Sequence, residues 1–154
     1  MNLFGLMETS GSAMQAERVR AEVVAANMAN AETTRTADGG PYHRQHVVFA
    51  ANGGTSFQES LMPQLQPALA TSNVAQPAGG VHIARVVEDP APPLRRYDPG
   101  HPDAGPDGYV EYPDINPLTE MVDLMGATRA YGLNGSAVQA EKNMITAALE
   151  IARS

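Results

Sequence analysis

The sequence predicts an α+β protein in which long N-terminal and C-terminal helices pair as a coiled coil and a small β-rich domain is inserted between them. Three observations point there. Apolar residues recur every seven positions at both ends of the 154-residue chain, the composition between changes abruptly to Gly, Pro and short alternating runs, and large rings for a deep core are few. The segment boundaries fall at 1–36, 37–113 and 114–154.

In the first segment Met7, Met14, Ala21 and Met28 are heptad-spaced, with Phe4, Val24 and Ala31 at intervening steps, which predicts one amphipathic helix to about residue 35. Ala13, Ala16, Val19, Val23 and Ala26 widen its apolar face, so the helix wants partners on more than one side.

The middle segment alternates apolar and polar residues at 42–50 (YHRQHVVFA) and 80–89 (GVHIARVVED), and shorter strand-like runs follow at PLRRYDP and 108–113 (GYVEYP). Turns such as Asp98-Pro99-Gly100 separate them. The stretch 52–80 is rich in Gln, Ala, Pro, Ser and Gly; it reads as a flexible loop, with one helical turn near Phe57 to Leu61.

The last segment has Asn116 as N-cap, Pro117 at the first helical position and Glu120 in the first turn. Leu124, Tyr131, Val138, Ile145 and Ala152 then follow at heptad spacing. Gly126, Gly132 and Gly135 either loosen this helix or let another backbone approach closely. About 35 residues span roughly 50 Å, longer than a domain of this size needs internally. The stripes therefore find cover on each other and on neighbouring copies, with Phe4, Met7, Met14, Val24 and Met28 set against Leu124, Tyr131, Val138 and Ile145.

Ten basic against seventeen acidic residues give a net charge of −7, and the single lysine, Lys142, stands apart from any basic run. Nucleic acid and anionic membranes are thereby poor partners. No stretch of about twenty apolar residues offers a membrane span, and the N-terminus, with Glu8, Glu17, Arg18 and Arg20, does not read as a secretory signal. With no cysteine, disulfides and thiolate metal sites are excluded.

The sharpest chemical candidate is the segment 97–114, which holds Asp98, His101, Asp103, Asp107, Glu111 and Asp114. Its spacing fits neither an EF-hand nor H-E-x-x-H, and a solvated, turn-rich loop is the better reading than a small metal- or ligand-binding domain. His43 and His46, three apart on a strand, make a poor ligand pair. No nucleophile elbow or phosphate loop is present, so no enzyme, metal or cofactor is expected. Asn27 and Asn30 are polar intrusions in a helical stripe; they read equally as C-terminal caps or as residues that fix register with a neighbouring helix, with Asn134 a possible counterpart.

The stretch AANMANAETTRTADGGPYHRQHVVF resembles the N-terminal signature of bacterial flagellar rod and hook-type axial proteins. The blocks VVEDPAPPLRRYDPGHPDAGPDGYVEYPDINPLTEMVDLM and ATRAYGLN extend the likeness in order, with YDPGHPDA and YVEYPDINP pointing to the proximal rod within that family. The resemblance implies a structural subunit of the flagellar basal body. Such a subunit is exported through the flagellar type III apparatus without a cleavable signal and polymerises in the periplasm into a hollow, torque-transmitting shaft. It implies terminal helices in an inner coiled-coil layer that order on assembly and an outer β-rich domain. The partners it implies are copies of the chain itself, the other rod proteins FlgB, FlgF and FlgG, and the basal-body protein FliE. It also tilts Asn27 and Asn30 toward register.

Overall fold

A computed structural model describes residues 3–37, 39–52 and 79–153, without the side chains of Leu3 and Phe4. The expected helical turn near Phe57 to Leu61 and most of the expected 52–80 loop lie outside the described residues. Helix α1 runs Leu3–Ala29 and helix α2 runs Pro117–Arg153. Between them come strands β1 Gln45–Ala51, β2 Val81–Glu88, β3 Leu94–Tyr97 and β4 Tyr109–Tyr112. The α+β architecture holds as expected: the helices pack on each other, and the strands form two antiparallel ribbons, β1–β2 and β3–β4.

Helix α1 stops at Ala29, short of the expected end near 35. The physical reason is Asn30. Its side-chain Nδ2 donates to the Ala26 carbonyl at 2.9 Å, its own carbonyl accepts from Thr33 N, and the Thr33 hydroxyl donates to its Oδ1. These local bonds offer the backbone an alternative to another helical turn. Helix α2 starts as read: Asn116 Oδ1 accepts from Leu118 N at 3.0 Å, capping an otherwise unpaired donor.

The helices run antiparallel, with Asn27 beside Glu120, Arg20 beside Asp123, and Met14 beside Gly135. The seam between them is not the leucine-like stripe that periodicity suggests. The most buried row of α2 is Glu120, Ala127 and Glu141, spaced by seven through the half-buried Asn134, while α1 buries Ser10, Ala16, Val24 and Asn27. Leu124, Val138 and Ile145 are half-buried and Tyr131 is exposed. The seam thus mixes buried polar side chains with the apolar Ala16, Val24 and Ala127. A Cβ on Gly135 would touch Met14 at 4.0 Å, in keeping with close approach, whereas Gly126 and Gly132 face open space.

The β1–β2 ribbon lies along α1. Its register shifts between Val48 and Phe49, where Arg85 pairs with Val48 and Ile83 with Phe49, leaving Ala84 as the bulged residue. Gly80 enters β2 at φ +107, a conformation open to glycine, and its Cα sits so near Ser12 that a Cβ would lie 2.6 Å from the hydroxyl. That hydroxyl accepts from Val81 N at 3.0 Å and donates to the Thr9 carbonyl. The β3–β4 ribbon buries Val110, and Pro113 and Ile115 continue this small core toward α2.

Candidate functional site: the helix–strand junction and an open helix flank

The densest polar structure in the molecule joins α1, β1 and α2. Asn27, only 1% exposed, turns its amide to the first residue of β1: Nδ2 donates to the Gln45 carbonyl at 2.9 Å and Oδ1 accepts from Gln45 N at 2.9 Å. The side chain behaves here as one peptide unit of a neighbouring strand. Its second amide hydrogen goes to Glu120 Oε2 at 3.1 Å, and its second lone pair takes the Tyr42 hydroxyl at 3.1 Å. All four hydrogen-bonding positions of the amide are filled.

Glu120 is likewise 1% exposed, and Arg44 compensates its charge with Nε 2.7 Å and Nη2 2.5 Å from Oε1. Arg44 also lies 3.8 Å from Asp123, which Arg20 approaches at 3.4 Å, so the cluster continues onto α1. A buried carboxylate is tolerable only when paired and hydrogen-bonded, and this one has both. Burial, then the charges of Glu88 and Glu120, push the Tyr42 hydroxyl above its ordinary titration range. Beside the junction is a cavity of about 290 Å³, lined in part by Val23, Phe49 and Asp123.

A second feature is apolar. On the flank of α2 turned from the seam, Leu118, Val122 and Met125 are 69%, 62% and 54% exposed, with Met121 beside them. They lie four and three residues apart and form a continuous stripe. Further along, Leu133, Met144 and Leu149 are also exposed.

The acidic loop is structural. Asp103 accepts from the Thr34 hydroxyl at 2.8 Å and lies 3.7 Å from Arg35; Asp107 pairs with Arg95; His101 Nδ1 accepts from Asp103 N. The Asp103 contacts fasten the loop to the chain leaving α1, the Asp107 pair ties it to β3, and the His101 bond lies within it. Among the described residues no group of three or more His, Asp or Glu is placed to hold a metal ion. His46 reaches Asp89 at 3.0 Å; that bond, with the Ala91 N–H, holds the Asp89 carboxyl below its ordinary range.

The residues singled out from the sequence are not one cluster. Met7, Met14 and Met28 are half-buried along α1, Val24 is buried near the junction, and the Phe4 side chain lies outside the described residues. The asparagines divide: Asn30 is a cap, whereas Asn27 is a joint within the chain, and Asn134 bonds only the Ala130 carbonyl of its own helix. Sequence reasoning missed Arg44, Arg20 and Asp123, and took Glu120 for a helix-start charge. The sequence offered no local signal for this: the buried row Glu120, Ala127 and Glu141 shows only in the packed helices.

Two terminal helices, an inserted pair of ribbons and an open apolar flank are a design for stacking beside other chains. The family described as "Flagella basal body rod protein" matches residues 7–35, and "Flagellar basal body rod FlgEFG protein C-terminal" matches residues 107–151. Fold and matches together define the class, a flagellar basal-body rod protein. The flagellar basal-body rod protein FlgC of Bacillus subtilis is 38% identical over 157 residues, covering 99% of this chain and 100% of the relative. Those of Borreliella burgdorferi and Salmonella typhimurium are 36% and 33% identical, each covering 98% of both chains. The chain belongs to the FlgC family, and it is a structural component of the flagellar rod.

Proposed function

We propose that this chain is a non-enzymatic subunit of the proximal rod that polymerises helically into a hollow shaft, α1 and α2 forming its inner layer and residues 37–113 its outer domain. The observation that carries the reading is the apolar flank Leu118, Val122 and Met125, too exposed to be a finished surface. Neighbouring subunits cover it, and the helices gain much of their order as they do so, because Ala16, Val24 and Ala127 are the fully buried apolar side chains that the described helices share. Half-buried Met7, Met14, Met28, Asn30, Leu124, Val138 and Ile145, exposed Tyr131, and Phe4 complete the contact surface; Val24 and Asn27 shape it from within. The partners are further copies of the chain, FlgB, FlgF, FlgG and FliE, reached in the periplasm after type III export.

The test is the double variant Val122→Glu with Met125→Glu. Both positions are exposed, so the free chain should lose less than about 0.5 kcal/mol per site. Export should persist while rod polymerisation and motility fail. Motile cells with normal rods would refute the reading.

A further inference from the structure

We propose that Asn27, Arg44 and Glu120 form a conditional latch: β1 takes its seat on α1 only when the first turn of α2 is wound and lying against α1. The geometry carries the latch; its test rests on the proposed incomplete order of the helices in the free chain.

The argument starts from valence. Glu120 presents two carboxylate oxygens, and each has a different customer: Oε1 takes the Arg44 guanidinium and Oε2 takes the Asn27 amide. Arg44 immediately precedes β1, and Asn27 grips the first residue of β1 through both backbone groups. One acid on α2 therefore orients both attachments of the strand. Its placement depends on the helical start of α2, since Glu120 N bonds the Asn116 carbonyl at 3.1 Å and Asn116 caps the same turn. Unwind that turn and the acid leaves; the partly exposed Arg44 guanidinium then loses its close partner, and the buried Asn27 amide is left with a donor unpaired.

The adjoining bonds do not replace it. Arg44 has Asp123 as a second neighbour on α2, at a looser 3.8 Å and one turn further along the same helix. At its far end the ribbon is held by Ser12 on α1, through a bond made between α1 and β2 alone. The ribbon can thus stay tethered at Ser12 while its β1 start opens. Helix pairing in one layer is in this way reported to the strands of the other.

A glutamine at 120 breaks the arrangement without changing its shape. An amide has one acceptor and one donor, so in either orientation its NH₂ faces a donor, Arg44 or Asn27.

The experiment uses the full chain, with trimethylamine N-oxide to drive the helices from loose to paired. Helix content is followed by circular dichroism, and amide exchange of peptides covering 42–51 and 94–112 by mass spectrometry. In the parent chain, protection of 42–51 should rise at least tenfold in step with helix content, and Asn116→Ala should displace both curves together. In Glu120→Gln, protection of 42–51 at matched helix content should fall by at least tenfold, while the β3–β4 peptide stays unchanged. Should Glu120→Gln fail to form helix, Arg44→Gln, which weakens one of the two links to Glu120 from the strand side, should show the same decoupling. Equal protection of 42–51 in parent and variant at matched helix content would overturn the latch. So would full protection before the helices form, or an equal loss in both ribbons.

Discussion

Replacing Asn27 and Asn30 separately by alanine discriminates between two residues that look alike in the sequence. Asn27→Ala removes a donor from Glu120, a donor and an acceptor from Gln45, and the acceptor of the Tyr42 hydroxyl. The Glu120 contact is buried on both sides, and its loss costs about 2 kcal/mol. Gln45 and Tyr42 are half-buried and recover some bonding to water, so their three lost bonds add about 2 kcal/mol together. Alanine's better helix propensity offsets about 0.7 kcal/mol, which leaves a net loss of about 3 kcal/mol. Asn30→Ala removes only bonds within its own turn, at a net of about 0.5 kcal/mol. Urea titrations of the full chain in trimethylamine N-oxide, followed by circular dichroism, should therefore show a large midpoint shift for the first variant and a small one for the second. Equal shifts, or none for Asn27→Ala, would refute the assignment of joint and cap.

Three further expectations come from the same geometry. The Tyr42 hydroxyl has a raised folded-state pKa, so its contribution is fully present below the ordinary tyrosine value of about 10 and is lost as pH rises through the folded value; an alkaline absorbance titration should contain a late component that Tyr42→Phe removes. The Asp89 carboxyl is depressed, so the stability it contributes is present above about pH 3.9 and is lost as pH falls through its folded value; Asp89→Asn should flatten the acid limb of β1–β2 exchange below that pH. Gly80→Ala forces a Cβ into positive φ and against Ser12, and should lower stability by about 1 kcal/mol or more in urea melts, with Ser12→Ala recovering the steric part only.

The element order was legible because periodicity and punctuation agree. The strand-like run at 80–89 contains β2 and that at 42–50 covers all of β1 but its last residue, Ala51, and Asn116-Pro117 opens α2 as its cap chemistry requires. The seam was not legible in the same way. Heptad reading selects the largest apolar residues and assumes that they face the partner helix; here Glu120, Ala127 and Glu141 are the most buried, Leu124, Val138 and Ile145 are half-buried, and Tyr131 is exposed. A pattern of apolar spacing reports which faces want cover and is silent on which partner supplies it. Asn27 was noticed as an anomaly, yet its meaning lay in Arg44 and Glu120, residues 17 and 93 positions later, which no local pattern connects to it.

The ribbon's two attachments to α1, at Asn27 and at Ser12, are fifteen residues apart, about 22 Å along the helix. A plate held by one pin swivels; held by two, it resists twisting in its own plane. The stiffness of the ribbon against a load in its own plane thus grows with that lever arm as well as with the strength of either bond. In the proposed shaft, the spacing of two fasteners along one helix can set how much the exterior lags behind the axis.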